Sequence, residues 1–209
     1  PSYLDTKNLG SSLSVPYFFN LNHDKNFTLT SRLYASQDPL FLGEYHQVFK
    51  NSYLMTDFGY TDGYKKSNNK KKSGNRSHLF SYFAKEFNGD NGSKNSFKIS
   101  VQDTSDDKYL KLYKIKSNLI DFEKDNLESS LSFTHEKDDL FVGFDALIYE
   151  TLKDSYNDKY EYILPELTID KNLLSDAKLG NLDLQTNFKV HSYDTNKLTS
   201  FLVNDFNWD

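Results

Sequence analysis

The sequence has no cysteine, one tryptophan, one methionine and four prolines in 209 residues. Without cysteine there is no disulfide frame, no thiolate nucleophile and no cysteine metal site. No apolar run approaches the ~18 residues that a transmembrane helix needs. No charged-then-apolar leader opens the chain. It begins abruptly at Pro1, in what reads as a loop, and this points to a fragment lacking its natural N-terminus. A basic excess is also missing: the net charge is −5, which argues against a dedicated nucleic-acid binder. Hydrophobic residues make up 37%, little for a water-soluble core of this size.

What is present is aromatic, with 17 Phe and 15 Tyr. Disordered chains are depleted in aromatics. Few aliphatics and many Phe and Tyr suit sheets that are apolar on one face and wet on the other. The dominant period is two. In Asn26–Ser36, Phe27, Leu29, Leu33 and Ala35 alternate with Thr28, Thr30, Arg32 and Tyr34. In Leu40–Phe49, Phe41, Gly43 and Tyr45 oppose Glu44 and His46; in Tyr53–Tyr60, Leu54, Phe58 and Tyr60 face away from Asp57. Phe97, Ile99 and Val101 alternate with Lys98, Ser100 and Gln102. Leu182, Leu184, Phe188 and Val190 alternate with Asp183, Gln185, Asn187 and Lys189.

Read through, the pattern predicts about eleven strands of some 8–13 residues joined as hairpins, the first at Ser12–Asn20 and the last beginning at Lys197. Lys171–Gly180 reads as a connection. Asp103–Asp125 breaks the pattern, with Tyr109–Tyr113 a short helical or extended excursion. Strands this long exceed those usual in globular sheets and match the ~9–11 tilted residues that cross a bilayer. The fold expected is all-β: an antiparallel up-and-down meander of 10–11 strands over residues 1–209, an open curved sheet that forms part of a large transmembrane β-barrel. A soluble β-sandwich shares the alternation but usually has shorter strands.

Chemistry is sparse. His23, His46, His78, His135 and His191 are scattered singly, with no second ligand at a metal-specific spacing, and read as lumen or loop residues. Asn88–Ser93 lacks the spacing and closing Glu of a calcium loop and reads as a tight turn. Asp106-Asp107 and Asp138-Asp139 sit in turns, where Asp is common. No G-x-S-x-G elbow occurs, and nothing supports an enzyme or a cofactor. The lysine-rich Lys65–Arg76 reads as a solvated loop; it has no interleaved aromatics for base stacking. Pro16 and Pro165 fall inside strands, where proline marks a bulge or an edge. At Pro16 the alternative is a deliberately weakened seam.

Several short runs fall in one order along nearly the whole chain: Pro1-Ser2-Tyr3, Ser11-Ser12, Val15-Pro16-Tyr17-Phe18-Phe19-Asn20, Pro39–Tyr45, Tyr109-Leu110, Leu164-Pro165-Glu166-Leu167 and Asn204–Trp208. Together they resemble the start of the barrel in the lipopolysaccharide-assembly outer-membrane protein family (LptD, also called OstA or Imp), in the style of its α-proteobacterial members. Three departures stand out. No Gly follows Tyr3, Phe19 stands at the usual Trp, and Ser31 stands where members can carry a second strand proline. The family's periplasmic domain, its remaining strands and its cysteines are absent from this chain. The resemblance implies a transporter without catalysis in the outer membrane of a Gram-negative bacterium. Lipopolysaccharide would arrive through periplasmic bridge proteins and leave sideways, between the first and last strands, into the outer leaflet. A plug lipoprotein (LptE) would sit in the lumen. The gate strand would be Ser14, Val15, Pro16, Tyr17 and Phe18, with Ser31 as the second gate position. Arg32, Glu44, His46 and Lys98 would face sugars, phosphates or the plug. The alternatives are another outer-membrane barrel, such as a porin or substrate channel, or a soluble β-sandwich binding module.

Overall fold

The computed structural model describes residues 1–63, 73–153, 158–193 and 197–209. Its strands follow one another as a single antiparallel sheet in sequence order, without a crossover. They are β1 (Ser2–Thr6), β2 (Gly10–Asn22), β3 (Lys25–Tyr34), β4 (Leu40–Val48), β5 (Ser52–Gly63) and β6 (Ser73–Asn88). After β7 (Lys94–Thr104) comes a single helical turn, α1 (Tyr109–Tyr113). Then follow β8 (Asn126–Lys137), β9 (Leu140–Thr151), β10 (Tyr160–Asp176), β11 (Gly180–Tyr193) and β12 (Leu198–Trp208). The all-β, up-and-down meander is therefore as the alternation predicts.

The strand count and some boundaries are corrected. Among the described residues there are twelve strands rather than eleven, because Ser2–Thr6 pairs with Gly10–Ser14. Ser12–Asn20 is thus not the first strand. Lys171–Asp176 is not a connection but the last third of β10, paired with β11 as far as Asp176↔Gly180. The register slips between Asn172 and Leu174, so alternation fails there although pairing persists. Ser73–Arg76 belongs to β6, whereas the lysine-rich part of the expected loop, residues 64–72, lies outside the described residues, as do 154–157 and 194–196 of two further expected loops. Pro165 does mark an irregularity, with a register shift between Ile163 and Glu166 against both neighbours. Pro16 does not: it pairs with Thr30 in regular register, and the slip in β2 comes at Asn20/Asn22. Asn88–Ser93 is a turn closed by Gly89 N–H to Ser93 O at 2.8 Å.

The chain divides into two compact units. The first comprises Pro1–Phe83, Val101–Leu127 and Leu152–Asp154. Here pleating puts Leu13, Val15, Tyr17, Phe27, Leu29, Leu33, Phe41, Tyr45, Phe58 and Tyr60 on one face. Many of these, among them Leu13, Tyr17, Leu33, Phe41, Phe58 and Tyr60, are exposed. The ring of Phe58 lies where a side chain on Gly43 would be and stacks on Phe27, 6.1 Å between centroids. The opposite face carries Ser12, Ser14, Thr28, Thr30, Arg32, Glu44, His46 and Asp57, all wholly or partly buried. A water-soluble sheet would bury its apolar face; this unit exposes the apolar face and covers the polar one.

The cover on the polar face is the Asp103–Asp125 segment. Lys108 N–H donates to Asp106 Oδ1, which starts the helical turn; Lys114 in the left-handed region ends it (φ 49°). The turn sets Tyr109, Leu110 and Tyr113 on one side. They pack with Ile115 and Ile120 against Leu9, Leu40 and Phe80 in one buried cluster. The Tyr109 hydroxyl lies 3.2 Å from His78 Nδ1. Burial, assisted by neighbouring Tyr113 and Tyr34, raises the Tyr109 phenol well above the ordinary tyrosine range. At the segment's end Lys111 and Lys153 hold Asp125, lowering its carboxyl.

The second unit comprises Ala84–Ser100, Glu128–Thr151 and Ser155–Asp209. The two-residue period again sorts its strands. Phe144, Leu167, Phe188 and Leu202 share one row, as do Leu184 and Phe206, and Leu182 and Trp208. The other face carries polar cross-strand pairs, including Glu166–Lys189 at 3.3 Å and Glu161–His191 at 2.5 Å.

Candidate functional site

The expected gate strand is the middle of β2, and its backbone is the informative part. Ala35 N–H donates to Ser11 O, so the odd-numbered residues of β2 form the hydrogen-bonded pairs with β3. Val15 and Ser31 are such a pair; Pro16 and Thr30 are not. The nitrogen of Pro16 is therefore turned away from β3, toward the side on which β1 runs. β1 covers β2 only as far as Ser2↔Ser14. Among the described residues, Val15–Asn22 has no strand on that side. Proline placed there costs the β2–β3 ladder nothing and offers no donor to whatever approaches the open side. Proline at Ser31, by contrast, would remove a β2–β3 hydrogen bond.

The five expected gate residues do not share one environment. Ser14 is paired on both sides, is buried, and accepts a hydrogen bond from Arg32 Nε at 3.1 Å. It belongs to the closed part of the strand. Val15, Pro16, Tyr17 and Phe18 lie beyond β1, with Tyr17 63% and Phe18 61% exposed. Val15 and Tyr17 are on the apolar face; Pro16 and Phe18 are on the polar one.

Of the polar candidates, Arg32 is committed within the chain. Its Nη1 donates to Tyr113 O and its Nε to Ser14. It anchors the covering segment to β3. Lys98 belongs to the second unit, is exposed and stands opposite Ser132.

Glu44 and His46 do come together, with a residue that sequence reasoning left out. Asp57 is directly opposite Glu44 across the β4–β5 hairpin. Phe49 N–H to Ser52 O fixes the ladder phase and makes Glu44–Asp57 a non-hydrogen-bonded pair, the kind with the closer side chains. One ligand atom from each of Glu44, His46 and Asp57 lies within 4.8 Å of the others. Asp57 is 2% exposed. Its Oδ2 accepts from Ser117 Oγ, which itself accepts from the Leu119 and Ile120 N–H groups. Asp57 Oδ1 and His46 Nε2 are buried without a hydrogen-bond partner. Sequence spacing misses this trio because Glu44 and His46 are two residues apart on one strand and Asp57 is reached only through the register. The Lys50-Asn51-Ser52 turn, with its parity, was the available signal.

No family model and no curated protein matches this chain.

Proposed function

We propose that this chain is the first portion of an outer-membrane β-barrel that delivers lipopolysaccharide to the outer leaflet, with the open part of β2 as one side of a lateral gate. The observation that carries the membrane reading is the inverted first unit, with Phe, Tyr and Leu exposed in rows and Arg, Glu, His and Asp covered. Strands of 9–17 residues from β2 onward are long enough to span a bilayer when tilted. Support for the gate is the backbone of β2 beyond Ser14, with Pro16 withholding its donor on the open side. In lipid each unpaired backbone group costs several kcal/mol, so a seam with one donor fewer is easier to part. The lipopolysaccharide cargo rests on the resemblance to the assembly family. The uncrossed strand order favours the barrel over a Greek-key sandwich.

The test is a reversible lock. A disulfide joining Val15→Cys or Tyr17→Cys to the last strand of the complete barrel is expected to stop lipopolysaccharide reaching the cell surface, and reductant is expected to restore it. Undiminished delivery with quantitative crosslinking removes the gate assignment.

A further inference from the structure

We infer that Glu44, His46 and Asp57 form a binding site for a divalent transition-metal ion of the Mn²⁺/Zn²⁺ class. Two carboxylates directly opposed in a close antiparallel pair repel one another and destabilise the hairpin. Among the described residues, no Lys or Arg makes an ion pair with Glu44 or Asp57, and the basic side chain beside them is His46 of the trio itself. A dication between them removes the repulsion and leaves the trio neutral.

The details fit a ligand set. Asp57 is 2% exposed, and Ser117 engages its Oδ2, leaving the buried Oδ1 without a partner. A ring nitrogen of His46 lies within 4.8 Å of the carboxylate atoms, and His46 Nε2 is buried without a partner. Ser117, fixed by two backbone N–H groups, plays the part that outer hydrogen bonds play around metal ligands, orienting the carboxylate. Metal–ligand bonds of about 2.0–2.2 Å bring tetrahedral ligand atoms to about 3.3–3.6 Å from one another, so a trio whose atoms lie within 4.8 Å closes by up to about 1.5 Å, within the reach of side-chain rotation. One imidazole with two carboxylates and no sulfur suits Mn²⁺ or Zn²⁺ and disfavours soft ions. The site stands whether or not the cargo is lipopolysaccharide.

The experiment is a Mn²⁺ titration of the detergent-extracted protein, followed by electron paramagnetic resonance. The expected result is one tightly held Mn²⁺ per chain, displaced by Zn²⁺, with nitrogen coupling from one imidazole. His46→Gln should abolish that coupling. Asp57→Asn and the isosteric Glu44→Gln should each weaken binding by about 10- to 100-fold while the β-sheet spectrum is unchanged. Absence of bound Mn²⁺ at millimolar concentration in the folded wild-type protein overturns the assignment. So does binding that all three folded variants retain.

Discussion

Phe58→Arg is expected to destabilise the protein in lipid bilayers by about 2–4 kcal/mol more than Phe58→Ala. Both substitutions remove the ring that covers Gly43 and stacks on Phe27. They differ in what replaces it. Phe58 is the seventh of the twelve residues of β5, so it lies near mid-strand and, in a spanning strand, near the bilayer centre. An alanine there leaves an apolar gap; a guanidinium must be dragged out of water. In water the order would reverse or vanish, because the arginine stem shelters the glycine better than a methyl does and surface changes typically stay within about 0.5 kcal/mol. Folding equilibria in vesicles should therefore separate the two variants by about 30- to 700-fold. Thr28→Arg, on the polar face of β3, should show no such penalty. Equal stability of the two Phe58 variants in lipid would mean that this face is not in the membrane.

Tyr109→Ala is expected to release the covering segment. Tyr109 is fully buried, lies 5.4 Å from the Tyr113 ring and 5.5 Å from His78, and touches His78 through its hydroxyl. Truncating a large buried aromatic side chain costs about 3–5 kcal/mol. The loss falls on the middle of a segment whose ends are tied separately, by Ser105 to Ser77 and Arg76 to Asp106 at one end and by Leu152 N–H and Lys153 to Asp125 at the other; between them the anchors are Arg32 to Tyr113 O, Ser117 to Asp57, and the cluster itself. The expected readout is tryptic cleavage after Lys114 or Lys116, accelerated by about two orders of magnitude, with the β-sheet spectrum unchanged. Tyr109→Phe keeps the packing and gives up only the hydroxyl contact, so it should cost about 0.5–1.5 kcal/mol. If Tyr109→Ala left the wild-type protection intact, the segment would be held by something other than this cluster.

The strand faces were legible in the sequence because a pleated strand turns alternation directly into sidedness. Leu182, Leu184 and Phe188 fall on one face of β11, as their spacing says. Legibility ended where the period slips. Leu173-Leu174 puts two adjacent apolar residues at an irregularity, and a paired stretch then reads as a connection. β1 was missed because five residues carry too little alternation to announce a strand; only its pairing with Gly10–Ser14 defines it. That pairing also moves the open edge of β2 from Ser12 to beyond Ser14. A break at Tyr109–Tyr113, helical or extended, was visible, but neither its helical form nor its role, since nothing local says that its apolar side lies on a polar sheet face. Arg32 was read as facing sugars, phosphates or the plug, and its bonds to Tyr113 O and Ser14 could not be read from its place in the alternation. Asp57 was placed on the correct face without its partners, because cross-strand neighbours depend on register rather than on sequence distance.

The claim on which the rest depends is that the Phe58 face meets lipid and the Thr28 face does not. Trp208 is the single tryptophan of these 209 residues, so Trp208→Phe gives this chain a silent background. Into it Phe58→Trp and Thr28→Trp can be introduced one at a time and the protein folded into vesicles of lipids brominated on their acyl chains. Strong quenching of the tryptophan at position 58, with little at position 28, is the predicted result. Equal quenching at both positions, or none at 58, would contradict the membrane-barrel reading.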